Sequence, residues 1–199
     1  MLLHRYLEDV LGNKASIALL RTMINYHGKI FTIRGLAEEA KVTPNEAALT
    51  VHDLERFGII KIQPVGRAYQ LELNMKSYIL HKIIEPIIKS EKNTVSELLE
   101  LLKKYLDTTK IFSAAIFGSI VTGQEKIDSD IDLLVISNDH EHAIKQISEV
   151  EEQVFSIFHG SVSPIVFTKK EFKSKQKSPL IRSIIDNHIL ICGFSIKNL

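Results

Sequence analysis

The stretch Ala114-Ala115-Ile116-Phe117-Gly118-Ser119, followed ten residues on by Asp130-Ile131-Asp132-Leu133-Leu134-Val135-Ile136, decides the reading of this chain. One apolar run leads into the Gly-Ser pair and another leaves the Asp-Ile-Asp triplet. That order predicts a strand, a phosphate-binding turn, and a second strand headed by two carboxylates. Alternate residues of a strand share a face, so Asp130 and Asp132 should point the same way about 6.5–7 Å apart while Ile131, Leu133 and Val135 enter the core. Two carboxylates at that spacing can share a divalent cation. Gly118 lets the backbone approach an oxyanion closely, and Ser119 adds a hydroxyl and the unpaired amides of a helix start. A phosphate cradle beside a metal-binding pair describes a site for Mg²⁺ and a nucleoside triphosphate.

Taken singly, Gly-Ser after an apolar run reads as a turn with Ser as helix N-cap, and Asp-x-Asp reads as a solvated strand edge. Together, at this spacing, they resemble the signature of the polymerase-beta-like nucleotidyltransferase superfamily, in particular its minimal nucleotidyltransferase branch. The resemblance implies a small mixed sheet flanked by helices, with the Gly-Ser turn on the triphosphate. It also implies three carboxylates holding two Mg²⁺ ions for in-line transfer of a nucleotidyl group with release of pyrophosphate. Gly118 and Ser119 map onto the phosphate turn, Asp130 and Asp132 onto the first two carboxylates. The third is expected on a later strand, and the candidate there, residues 161–168 (Ser-Val-Ser-Pro-Ile-Val-Phe-Thr), carries no acid: Ser163 or Ile165 stands where it should be. Two-metal transfer uses that third carboxylate to hold the second ion and to activate the attacking hydroxyl. Two aspartates still suffice for one metal-nucleotide, so nucleotide binding is better supported than turnover. Glu171, just past the strand, could fold back as a substitute, but a glutamate in a first helical turn is favoured there by the helix dipole alone.

Composition frames this site. At 199 residues the chain suits two small domains. A hydrophobic content of 45% and a charged content of 25% are those of a globular protein, and a net charge of +1 advertises no general affinity for polyanions. The single cysteine, Cys192, lies in the apolar run 189–193, excludes an intramolecular disulfide and points to a reducing cytoplasm, where it reads as a small buried hydrophobe. No apolar stretch approaches a membrane span, and the acid at Glu8 comes too early for a signal peptide.

The N-terminal part reads from its punctuation. Ile17, Leu20 and Ile24 keep one helical face until Gly28. A short helix follows over residues 33–40, then a helix announced by Thr43-Pro44-Asn45-Glu46, with Thr43 as N-cap, Pro44 at the first helical position and Glu46 closing a capping box. It should bury Ala47, Val51 and Leu54 and stop at Gly58. Residues 59–62 and 69–73 alternate about the turn Pro64-Val65-Gly66-Arg67, a hairpin signal. Helices followed by a hairpin resemble a winged helix-turn-helix across residues 14–74. The base-facing positions of its second helix supply Thr43, Asn45 and Thr50, and the wing supplies Arg67, as candidate DNA contacts. Nine Lys and Arg against eight Asp and Glu in residues 1–75 make that module nearly neutral, so any DNA binding should be weak. Docking or homodimerisation through Leu49 is the equal alternative.

Between the two parts, residues 77–89 carry an apolar face through Leu80, Ile83, Ile84 and Ile87 that Pro86 should interrupt. Glu91-Lys92-Asn93 reads as a hinge, and a new helix should start at Thr94 with Glu97 in a capping box. Downstream, Asp139 should cap a helix with the stripe Ala143, Ile144, Ile147, Val150, Val154 and Phe158. His140 and His142 in its first turn read as solvated before they read as metal ligands. Lys169, Lys170, Lys173, Lys175 and Lys177 form a basic segment, either a solvated face or a contact with triphosphate or RNA.

The expected fold class is therefore α+β: a winged helix over residues 1–75, a connecting helix and hinge over 76–92, and a small mixed-sheet nucleotidyltransferase domain over 93–199. The expected function is Mg²⁺-dependent transfer of a nucleoside monophosphate to a hydroxyl acceptor. From the resemblance, that acceptor can be a small helical partner protein, as in toxin-antitoxin pairs. The alternatives are a DNA-binding regulator whose nucleotidyltransferase domain only senses nucleotide, and an antitoxin acting by occlusion.

Overall fold

The computed structural model describes residues 4, 6–66, 68–106 and 108–198. The chain divides into two compact units, Met1–Asn93 and Thr94–Leu199. The expected connector 76–92 thus falls inside the first unit.

The first unit begins with α1 (Leu7–Leu11) and α2 (Lys14–Asn25), the latter capped by the Asn13 side chain, which accepts from the Ala15 amide at 2.9 Å. A two-residue strand, β1 (Phe31–Thr32), leads directly into α3 (Ile33–Glu39). The next helix, α4 (Pro44–Arg56), starts on the capping box its sequence announces, with Thr43 and Glu46 each bonding the other's backbone. The hairpin is β2 (Ile60–Val65) and β3 (Ala68–Leu73). Its pairing is longer than expected, reaching Val65↔Ala68, and β1 joins the far side of β3 to give the order β1-β3-β2, all antiparallel. Two residues are too few to show a period, which is why β1 is invisible in the sequence. Leu19, Leu20 and Met23 of α2, Leu36 of α3, Val51 and Leu54 of α4, and Ile60 and Leu71 of the sheet form one core.

The expected break at residues 91–93 does not occur. A π-helical turn (Leu80–Ile84) runs without interruption into α5 (Glu85–Tyr105), so Thr94 and Glu97 lie inside a helix and not at its start. Pro86 stands in the first turn of α5, where its ring is tolerated, and the wider π turn before it relieves the clash with the preceding carbonyl. That turn also shifts the apolar phase by one residue. Leu80, Ile84 and Ile88 are buried at intervals of four, whereas Ile87 is 47% exposed.

The second unit is a four-stranded mixed sheet of β4 (Ile111–Phe117), β5 (Ile131–Ser137), β6 (Val162–Phe167) and β7 (His188–Gly193), in the order β6-β5-β4-β7. β5 and β6 are parallel, joined through α7 (His140–Phe158), and the other pairs are antiparallel. A single helical turn, α6 (Ser119–Thr122), follows β4, and α8 (Lys169–Lys175) and α9 (Pro179–Asp186) connect β6 to β7. The sheet is covered on both faces, which explains its continuous apolar runs. Ile131, Leu133 and Val135 pack with Leu98 and Leu102 of α5 and with Ala143, Ile147, Val150 and Val154 of α7. Leu134 and Ile136, with Ala115 and Phe117, pack against Phe172 of α8 and Ile181 and Ile184 of α9. Ile144, expected on the α7 stripe, is 49% exposed, and Gln146 is buried instead. The run 189–193 is a strand that the sequence reading did not foresee. Cys192 within it is buried, and burial pushes its thiol up. Among the described residues no helix is long and apolar enough to cross a membrane.

Candidate active site

Strand β4 ends at Phe117, and Gly118 turns the chain at φ +78°, ψ −145°, a conformation open to glycine and costly for any other residue. A second constraint acts there: a Cβ on Gly118 would overlap the Asp132 carboxylate, whose Oδ2 lies against the Gly118 backbone. Ser119 opens the single turn α6, from which Thr122 Oγ1 donates back to the Ser119 carbonyl at 3.1 Å. The Gly118-Ser119 segment is thus a tight turn followed by one helical turn.

Asp130 precedes β5 and Asp132 is its second residue. Asp132 pairs with Phe117 on one side and Ser163 on the other, so its carboxylate rises on the same face as Leu134 and Ile136. Asp130 is exposed and accepts a hydrogen bond from the Ser161 hydroxyl. Asp132 is half-buried; burial first, and the Asp130 charge second, pushes its carboxyl above the ordinary value. Two anions made to share a partly desolvated edge are relieved by a cation between them. The donor set fits one divalent ion completed by phosphate oxygens and water, which is how Mg²⁺ is commonly held.

The strand expected to carry the third acid is β6, and its register is unambiguous. Ser163 lies directly across from Asp132, exposed, while Ile165 lies across from Leu134 and packs into the core. Ser163 therefore faces Asp132 across the ladder with a hydroxyl and no charge. Glu171 does not substitute, because its carboxylate accepts from the Thr168 amide and hydroxyl, both at 2.8 Å, as the capping box of α8. Among the described residues no group of three His, Cys, Asp or Glu is placed to hold a metal, and His140 and His142 stand in the first turn of α7. The start of the basic segment is also far from the turn. α8 starts past Phe167, which pairs with Ile136, four residues and about 13 Å along β5 from Asp132. Lys169 and Lys175 instead sit over the rings of Phe112 and Phe167, at 5.3 and 4.8 Å.

Two polar residues at this end of the sheet were not foreseen. Ser161 binds Asp130, and only its place at the head of the third strand could have signalled it. His188, at the start of β7, pairs across from Phe117.

In the first unit the candidate DNA contacts separate. Asn45 is exposed; Thr43 is exposed but engaged in the cap, its hydroxyl 2.6 Å from Glu46 Oε2. Thr50, expected to face outward, is buried at 5% exposure, because it falls one helical turn from Ala47 on the core-facing side. Arg67 lies outside the described residues. The exposed face of α4 otherwise shows Glu46, Asp53, Glu55 and Arg56, with Arg56 3.6 Å from Asp53, and Leu49 at 65% exposure.

Residues 95–191 match the family model of the nucleotidyltransferase domain. The matched span takes in Gly118, Ser119, Asp130, Asp132 and Ser163. Several solved structures resemble the chain, three of them as follows. One is a toxin-antitoxin with AMP-PNP (19% identity, TM-score 0.38, covering 53% of this chain and 77% of that one). Another is a mutant of the toxin-antitoxin MntA-HpeT (16%, TM-score 0.37, 52% and 76%). The third is TrmBL2, an archaeal chromatin protein with a novel mode of DNA binding (16%, TM-score 0.30, 91% and 72%). No curated protein matches the sequence.

Proposed function

We propose that the second unit binds a nucleoside triphosphate with Mg²⁺ and transfers a nucleoside monophosphate to an acceptor hydroxyl, with the first unit serving as a winged-helix docking or weak DNA-binding module. The observation that carries this reading is the contact between its two halves: the Asp132 carboxylate lies against the Gly118 backbone, which supports a single site made of the proposed metal-binding pair and the proposed phosphate turn. Bound there, Mg²⁺ would neutralise phosphate charge and polarise the reacting phosphorus. Asp130 and Asp132 would hold it, Ser161 would orient Asp130, and Gly118 and Ser119 would present backbone and hydroxyl donors to the phosphates. From the family resemblance, a hydroxyl on a small helical partner protein is the proposed acceptor.

A second reading has its own observation. Ser163 stands where a third carboxylate would, so a second ion lacks its anionic ligand and the acceptor hydroxyl lacks that base. The domain then binds nucleotide as a sensor and the first unit acts on DNA as a regulator. Calorimetric titration of ATP, GTP, CTP and UTP with and without Mg²⁺, followed by release of pyrophosphate, tests both. Mg²⁺-dependent binding with release supports transfer; binding without release supports the sensor; no binding of any triphosphate overturns the site.

A further inference from the structure

Phe117, the last residue of β4, has two cross-strand neighbours on one face of the sheet, Asp132 on β5 and His188 on β7. The Asp132 carboxylate leans over Gly118, that is, toward β4 and so toward the β7 side. His188 is half-buried, and its Nδ1 lies 2.9 Å from the Ile184 carbonyl and 3.2 Å from that of Ile185, at the end of α9. Both partners are acceptors only, so Nδ1 carries the proton, and in the neutral ring Nε2 is left as a lone-pair acceptor. No hydrogen bond engages Nε2 among the described residues. Capping the end of α9 accounts for one nitrogen of His188 and leaves the other.

We propose that His188 is a further binding residue of this site, its Nε2 accepting a hydrogen bond from a hydroxyl of the molecule held beside Asp132. The inference rests on the nucleotide reading above. A lone pair repels phosphate oxygens, so the chemistry it selects is a hydroxyl. Two strand spacings, about 10 Å between Cα atoms, separate His188 from Asp132, with the Phe117 side chain between them on the same face, so a hydroxyl-bearing group that reaches both passes over that ring. The hydroxyl has two sources, the ribose of the nucleotide or the acceptor. In the second case Nε2 takes the acceptor's proton as its oxygen bonds the α-phosphorus and the bond to the leaving pyrophosphate breaks.

The test uses the full chain, with wild type, His188→Asn and His188→Gln. Asn keeps a donor near the Nδ1 position and has nothing at Nε2, whereas Gln places an amide oxygen near Nε2. Calorimetry with Mg²⁺ compares ATP with 2′,3′-dideoxy-ATP, pyrophosphate release at saturating ATP is timed with cell extract added as the source of acceptor, and thermal unfolding reports the fold. If the ribose is the source, wild type prefers ATP by several-fold to about tenfold, as one neutral hydrogen bond allows; Asn loses the preference and Gln recovers part of it. If the acceptor is the source, affinities are unchanged and release slows by about a hundredfold or more in Asn. Unchanged preference and unchanged release in an Asn variant that melts like wild type overturn the proposal. So does a wild type that binds ATP but neither distinguishes the dideoxy compound nor releases pyrophosphate. A wild type that binds no Mg²⁺-nucleotide overturns the nucleotide reading, and this inference with it.

Discussion

The two candidate sites of this protein are built differently. Asp132 belongs to a sheet buried on both faces, with Asp130 just ahead of its strand, and the register that buries Leu134 and Ile136 sets Asp132 beside them. The exposed face of α4 is the residue of a packing decision made elsewhere: Ala47, Val51 and Leu54 face the core, and whatever is left faces solvent. In the sheet, the core places charges where water would not. Burial and the neighbouring Asp130 raise the Asp132 carboxyl, the kind of stored cost that a bound cation repays. On α4 the charges are solvated, mostly acidic, and partly tied to one another. A strained arrangement kept inside a stable framework marks a site more firmly than a face whose residues are merely available.

The largest effect expected from this contrast is at the aspartates. Replacing Asp130 and Asp132 together by Asn should abolish Mg²⁺-dependent nucleotide binding, read by calorimetry, since the ion's anionic ligands are gone. The single change Asp132→Asn should also raise the melting temperature of the nucleotide-free protein, because it removes a half-buried charge facing another of the same sign. Retained affinity in the double variant would break the comparison at its stronger end.

Next in size is Gly118→Ala. The positive φ and the overlap with the Asp132 carboxylate act at one position, so the variant should lose about 1–3 kcal/mol of stability and, by displacing Asp132, at least about tenfold in nucleotide affinity. Denaturant unfolding and calorimetry read the two losses separately. Lost stability with intact affinity would mean that Asp132 is not held by this contact.

The same contrast explains what the sequence disclosed. Gly118, Ser119, Asp130 and Asp132 were legible because apolar runs fix the strands on either side of them, and Thr43, Pro44 and Glu46 because a capping box is written in adjacent residues. Ser163 was legible as a candidate for the third position and needed only the register to separate it from Ile165. The place of His188 was not, since it depends on β7 lying beside β4, a pairing between residues about seventy positions apart in the chain. The continuous α5 was hidden by Pro86, whose usual meaning is a break; a π-helical turn ahead of it cannot be read from local sequence. Thr50 was placed outward by residue type, and the helical phase put it inside.

A smaller effect is expected at α4. If this helix meets DNA, a low-salt binding assay should show weak affinity with a salt slope of only a few, lowered by about one in Arg67→Ala, and Asp53→Asn with Glu55→Gln should tighten binding by removing repulsion of phosphates. No retention of duplex by wild type or by the charge-reduced variant would assign the face to docking. Leu49→Lys, leaving the core untouched, should then disrupt any homodimer seen by light scattering.

The smallest effect concerns pH, and it tests whether the first unit holds any charge as firmly as the second. His81, in the π-helical turn, has Nε2 2.8 Å from the Met75 carbonyl and Nδ1 3.1 Å from Glu85 Oε2. Both partners accept, so only the doubly protonated ring satisfies both. The Met75 carbonyl first and the Glu85 carboxylate next raise its value, against the opposing charge of Lys89. A group whose value is higher folded than unfolded adds stability that is fully present below the unfolded value, about 6.5, and is lost as pH rises through the folded one. The melting temperature of wild type should therefore exceed that of His81→Gln at about pH 5.5, and the difference should shrink with rising pH. The ring is partly exposed, so solvent screening keeps the shift small. A difference that stays constant across that range would show that His81 acts through packing and not through its charge.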